Sequence, residues 1–204
     1  MATEKKSNRR QQILQTLASQ LEENKGMPIR TASLAKAVGI SEAALYRHFP
    51  SKAKMFESLI QFSEETIFSR INKIQQEQNS AVIRCEAVLH LILTFSDRNP
   101  GIVRILTGEA LMGESEKLQT RVTQLFDRIE LQLKQFLREG VLHGELSEAL
   151  NIAVIANCMA SHIEGKLSQF RRSGFEQSPL VYADEQWLVF RHMLQAQTTS
   201  GTSS

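Results

Sequence analysis

At 204 residues, with 42% hydrophobic content and a net charge of only +2, the chain has the composition of a folded soluble protein, long enough for one small domain joined to a larger one. Two cysteines argue against a disulfide framework, no apolar run reaches the roughly 18 residues of a membrane span, and residues 1–10 carry no apolar stretch that could serve as a secretion signal. A reducing cytoplasm is the expected compartment. The charge is uneven: ten Lys and Arg face four Asp and Glu over residues 1–54, against fourteen and eighteen over residues 55–204. A basic head on a mildly acidic body fits a nucleic-acid module carried on a different scaffold, although a merely solvated basic end would give the same count.

Four prolines and ten glycines leave room for long helices, and no alternating Val, Ile and Thr run or hairpin turn argues for strands. The expected fold is all-α, with about nine helices. Three short ones form a helix-turn-helix domain over residues 1–54, and the rest form a larger bundle over 55–197. Thr198–Ser204, polar and low in complexity, are expected to be disordered.

Residues 1–6 read as a mobile basic arm. Ser7 or Asn8 can cap a first helix to about Asn24, with Ile13, Leu14, Leu17, Ala18 and Leu21 on its buried side. Gly26 suits a left-handed cap, and Pro28 cannot continue the helix. Thr31 is expected to cap the second helix, with Leu34, Ala35 and Val38 inward. Gly39 supplies the positive φ of a tight turn. Ser41 caps a third helix whose Leu45 and Phe49 point into the core, and Pro50 ends it.

Ser51 caps a long fourth helix, from about Lys52 to Gln76, with Met55, Phe56, Leu59, Ile60, Ile67, Ile71 and Ile74 on one stripe. It is the expected joint between head and body. A fifth helix, about Ser80 to Asp97, is apolar on more than one side and therefore central. Asn99-Pro100-Gly101 breaks the chain before a short helix to about Leu111. The seventh, about Glu116 to Glu139, carries Leu118, Val122, Leu125, Ile129, Leu133 and Phe136 at near coiled-coil spacing, too few turns for a free coiled coil. Gly140 and Gly144 mark a connection. The eighth, about Ser147 to Arg172, presents Ala153, Ala156, Ala160, Ser161 and Gly165, and a last helix from about Glu185 to Gln197 carries Trp187, Phe190 and Leu194.

Residues 31–52, TASLAKAVGISEAALYRHFPSK, carry the candidate function. Two short helices about Gly39 form a helix-turn-helix whose second member can enter a DNA major groove. The candidate DNA-binding residues are Thr31, Ser33, Lys36, Ser41, Glu42, Ala43, Ala44, Tyr46, Arg47, His48 and Lys52. Arg47 can give G O6 and N7 two hydrogen bonds, Ala43 and Ala44 can lie against a thymine methyl, and Glu42 can accept from cytosine. Tyr46 can stack or bond a phosphate. Capped helix starts at Thr31 and Ser41 offer N–H groups to phosphate, and Lys36, His48 and Lys52 add cationic or donor groups. Lys52 in a first helical turn opposes the helix dipole, a small penalty that makes sense beside a phosphate. The plain alternative is a packed helical hairpin with solvated charges outside.

Gly39-Ile40-Ser41-x-x-Ala44-Leu45-Tyr46-x-His48-Phe49-x-Ser51-Lys52 closely resembles the signature of TetR-type bacterial regulators, and Thr31-Ala32-x-Leu34-Ala35 and Met55-Phe56 fit it too. The resemblance implies an all-helical homodimer on palindromic double-stranded DNA, half-sites about 34 Å apart. It implies Thr31, Tyr46, His48 and Lys52 on phosphates, and Glu42, Ala43, Ala44 and Arg47 facing bases. It also implies a four-helix dimer interface from the last two long helices. Further, SEAALYRHFPSK, the Phe68–Asn72 stretch and DRNPGIVRILTGEALM at residues 97–112 resemble the nucleoid occlusion branch of this fold. Such factors, bound to chromosomal sites, antagonise assembly of the tubulin-like division protein FtsZ. On that likeness FtsZ is the partner, and its tail would meet an apolar floor with basic rims built from Phe62, Arg70, Leu91, Phe95, Arg98 and Asn99. Without the likeness, those apolar residues read as core and the arginines as solvated.

No cofactor or metal is expected. Cys158 and His162 lie four apart with no second pair to complete a metal site, and no phosphate-binding glycine loop, zinc hydrolase motif or nucleophile elbow is present, so an enzyme is not expected. The rival function is a ligand-responsive repressor, whose body would enclose an apolar pocket and shift the spacing of two heads.

Overall fold

Apolar residues that recur every three or four positions wind this chain into helices. The computed structural model describes residues 2–24 and 26–195, and for residues 2–7 the backbone alone. Among these residues the elements are α1 (Ala2–Glu23), α2 (Thr31–Val38), α3 (Glu42–His48), α4 (Lys52–Glu77), α5 (Ala81–Asp97), α6 (Pro100–Leu106), a 3₁₀ turn (Glu109–Leu111), α7 (Glu116–Leu142), α8 (Ile152–Arg172) and α9 (Ala183–Gln195), with no strand. None of the described helices is long and apolar enough to cross a membrane. Packing sorts the chain into two compact units: residues up to Glu65 with Asn99–Thr123, and Thr66–Arg98 with Gln124 onward.

In the first unit, Ile13, Leu17, Leu21, Leu34, Leu45, Phe49, Met55 and Phe56 are almost wholly removed from water and form the core. Helix α6 presses on α1 so closely that a Cβ at Gly101 would stand 2.1 Å from the Ala18 carbonyl oxygen. Arg104, only 3% exposed, completes that joint. Its guanidinium donates to the carbonyls of Leu21 (2.6 Å) and Asn24 (2.7 Å), and to both Glu109 oxygens (2.8 Å each). Two of the carbonyls at the end of α1, those of Leu21 and Asn24, thereby gain a donor.

In the second unit, α8 and α9 pack on α5, which buries Ala81, Cys85, Val88, Leu89, Ile92, Leu93, Phe95 and Ser96. Burial pushes the Cys85 thiol far above its usual range. Glu145 caps the start of α5: its carboxylate accepts from the Ala81 N–H (2.6 Å), the Val82 N–H (3.1 Å) and the Ser80 hydroxyl. Arg84 closes the α4–α5 turn, donating to the Gln78 carbonyl at 2.7 Å and pairing with Glu139 at 2.5 Å.

Several expected boundaries move. The helical backbone of α1 extends back to Ala2, because nothing in that polar stretch breaks a helix, so Ser7 and Asn8 lie inside it and do not cap it. Arg30, not Thr31, is the N-cap of α2, and it makes no side-chain cap bond. Gly140 lies inside α7, where its missing Cβ would stand 2.6 Å from that of Ala81; only Gly144, at φ 73°, turns the chain. Helix α8 begins at Ile152, where the Asn151 side chain accepts from the Val154 N–H, and Ser147–Leu150 form a turn before it. Residues 198–204 lie outside the described residues.

Candidate nucleic-acid interface

The turn between α2 and α3 is set by backbone chemistry. Gly39 sits at φ 74° and its N–H bonds the Lys36 carbonyl, a conformation an L side chain resists. Ser41 then caps α3, accepting from the Ala44 N–H at 3.1 Å. Leu34, Ala35, Val38, Leu45 and Phe49 are buried beneath the two helices, so their other faces are presented outward. Arg10, from α1, pins the far end of α3. Its guanidinium lies 4.3 Å from the centre of the Phe49 ring and donates to the His48 carbonyl at 2.9 Å.

The outward face holds Ser33, Lys36, Ser41, Glu42, Ala43, Tyr46 and Arg47, all exposed. Tyr46 is 43% exposed. Thr31, Ala44, His48 and Lys52 are half-buried. Three of these residues are joined across the turn: the Thr31 hydroxyl donates to Glu42 Oε1 at 2.8 Å and accepts from the Tyr46 hydroxyl at 3.3 Å. The Lys52 ammonium lies 2.7 Å from Glu114 and 5.6 Å from the centre of the Phe56 ring. Sequence inspection missed Arg10 and Glu114, because each acts on residues far from it along the chain and neither belongs to a local motif.

The residues assigned to a protein partner are placed differently. Phe62, on α4, is 47% exposed, and Arg70 on the same helix is exposed. Leu91 is half-buried, Arg98 is the exposed C-cap of α5, and Asn99 is the half-buried N-cap of α6. Phe95, at 7% exposure, is packed into the core around α5 and gives no open floor. Phe62 and Asn99 fall in the first unit, and the other four in the second.

A buried three-helix head with a glycine turn, a capped short helix and a basic, aromatic outer face defines a helix-turn-helix DNA-binding regulator. Comparison with known proteins agrees. Residues 18–59 match the family of bacterial regulatory proteins of the tetR type, and residues 78–195 match the SlmA-like form of the Tetracyclin repressor-like C-terminal domain. Similar relatives are the Nucleoid occlusion factor SlmA of Alteromonas mediterranea, 53% identical over 95% of this chain and 99% of its own, and that of Shewanella denitrificans, 52% identical over 95% and 98%. Among solved structures the fold is shared with the TetR family regulator PfmR from Thermus thermophilus (TM-score 0.71, 23% identity, 90% of this chain and 97% of that one). It is shared too with FadR from Bacillus subtilis in complex with stearoyl-CoA (TM-score 0.70, 16% identity, 90% and 97%). The chain belongs to the TetR family and, within it, to the SlmA group, whose members are DNA-binding regulators and not enzymes.

Proposed function

We propose that this protein is a nucleoid occlusion factor: a homodimer that binds palindromic chromosomal sites and there antagonises FtsZ assembly, so that no septum forms over DNA. The observation that carries this reading is identity above 50% along nearly the whole chain to proteins named for that role, body as well as head. Thr31, Ser33, Lys36, Tyr46, His48 and Lys52 are the proposed phosphate contacts, and Glu42, Ala43, Ala44 and Arg47 the proposed base-facing set, with Ser41 at the start of α3 beside them. Nucleoid association follows from the same reading.

Support for a dimer comes from the outer faces of α8 and α9. Val154, Cys158, Ser161 and Gly165 recur at helical spacing on α8 and are exposed, and Leu188 and Val189 are exposed on α9. Nothing lies within 4 Å of the place a Gly165 Cβ would take, so small residues there leave a surface that a second backbone can approach closely. For FtsZ, Arg70, Leu91 and Arg98, all in the second unit, are the proposed contacts.

The deciding experiment mixes the protein with FtsZ and GTP, with and without palindromic DNA, and follows polymer by sedimentation. Less polymer in the presence of the protein is expected. No effect with or without DNA would transfer the assignment to a ligand-responsive repressor.

A further inference from the structure

Lys52 is held by a carboxylate from outside the helix-turn-helix. Glu114 sits in the turn between the 3₁₀ segment and α7, behind Gly113 at φ 79°. Its Oε1 is 2.7 Å from the Lys52 ammonium, with the two side chains 17% and 27% exposed. Such a pair is screened less than one in open water, yet it stays accessible at one side. Lys52 stands in the first turn of α4, where the helix dipole disfavours a cation and favours an anion. Glu114 supplies that anion in the free protein. A DNA phosphate brings the same charge and the same oxygen acceptors, and it competes for one ammonium. A pocket of about 200 Å³ adjoins the pair, lined by Lys52, Met27, Arg104 and Met112 among others.

We propose that Glu114 is a phosphate surrogate: in the free protein its carboxylate occupies Lys52, and a backbone phosphate displaces it when DNA binds. This rests on Lys52 being a phosphate contact. Glu114 then lowers the sequence-independent part of the affinity, because each binding event must break an ion pair before making one.

Binding to a mixed-sequence duplex tests this, with full-length wild type, Glu114→Gln, Lys52→Ala and the double variant, each checked by thermal unfolding. Glu114→Gln should tighten binding by about two- to fivefold, the range a partly exposed ion pair allows. The double variant should bind no better than Lys52→Ala. Equal tightening by Glu114→Gln in the Lys52→Ala background would mean general repulsion from DNA and overturn the exchange. No tightening, while Lys52→Ala weakens binding, would overturn the exchange and leave the phosphate contact standing. No effect of any of the three would remove Lys52 from the phosphate contacts. A measurement independent of variants follows the Glu114 carboxyl carbon by NMR: it should shift when DNA is added to the wild-type chain, and an unmoved resonance would overturn the displacement.

Discussion

Arg47 is exposed on α3, and its side chain has the reach and the paired donors that recognise guanine in a major groove. Arg47→Ala should weaken binding to a selected palindrome by about 1–3 kcal/mol and relax the preferred base, measured by titration against single-base variants. Equal loss on random DNA would make Arg47 a phosphate contact instead. Glu42 is less free for base reading, since its carboxylate already accepts from Thr31. The sequence motif identified the residues of this face but not the bonds among them. Gly39, Ser41, Leu45 and Phe49 could be assigned because turn, cap and core each follow from spacing within one short stretch. Arg10 over Phe49 and Glu114 on Lys52 could not, because no periodicity links residues so far apart.

Helices were legible wherever an apolar stripe repeats, and their ends were not when a distant group finishes them. Glu145, sixty-odd positions away, caps α5, and Arg104 closes α1 from α6. Arg104→Ala would take one donor from the Asn24 carbonyl, which keeps the Met27 N–H, remove the Arg104 donor from the Leu21 carbonyl, and leave the half-buried Glu109 carboxylate without its partner. It should cost about 3–5 kcal/mol in denaturant unfolding. Helix α8 carries a different liability. Burial, then the charge of Lys166, holds the His162 imidazole below its usual proton affinity, and its ring stands edge-on to Phe190 at 5.4 Å. The unfolded chain therefore takes up a proton near pH 6.5 that the folded chain resists. Stability should be full above that pH and decline as pH falls through it. Thermal unfolding from pH 7.5 to about 5 checks this, and His162→Gln should flatten the decline.

At the scale of the whole molecule, the head was assigned from a motif and the body only from likeness, because bundle cores built from Leu, Ile and Phe look alike whatever they do. Phe95 illustrates the difficulty: likeness offered it as floor for a partner, whereas its burial is that of a core residue. Arg70 lies outside the DNA-facing stretch and is exposed. Arg70→Asp should abolish FtsZ binding in a pull-down or anisotropy assay and leave DNA affinity unchanged. Loss of both functions would indicate misfolding, and retention of both would move the partner site elsewhere.

The two cysteines have opposite chemistry, and that makes the molecule its own reporter. Cys85 is sealed in α5, where burial pushes its thiol up, whereas Cys158 is exposed on the face of α8 proposed to meet a second copy. A colorimetric thiol reagent should therefore modify one sulfur per folded chain, and the second only on denaturation. If α8 faces its twin, the first modification cannot outrun dissociation, so its rate at saturating reagent becomes a clock for how long two chains stay together.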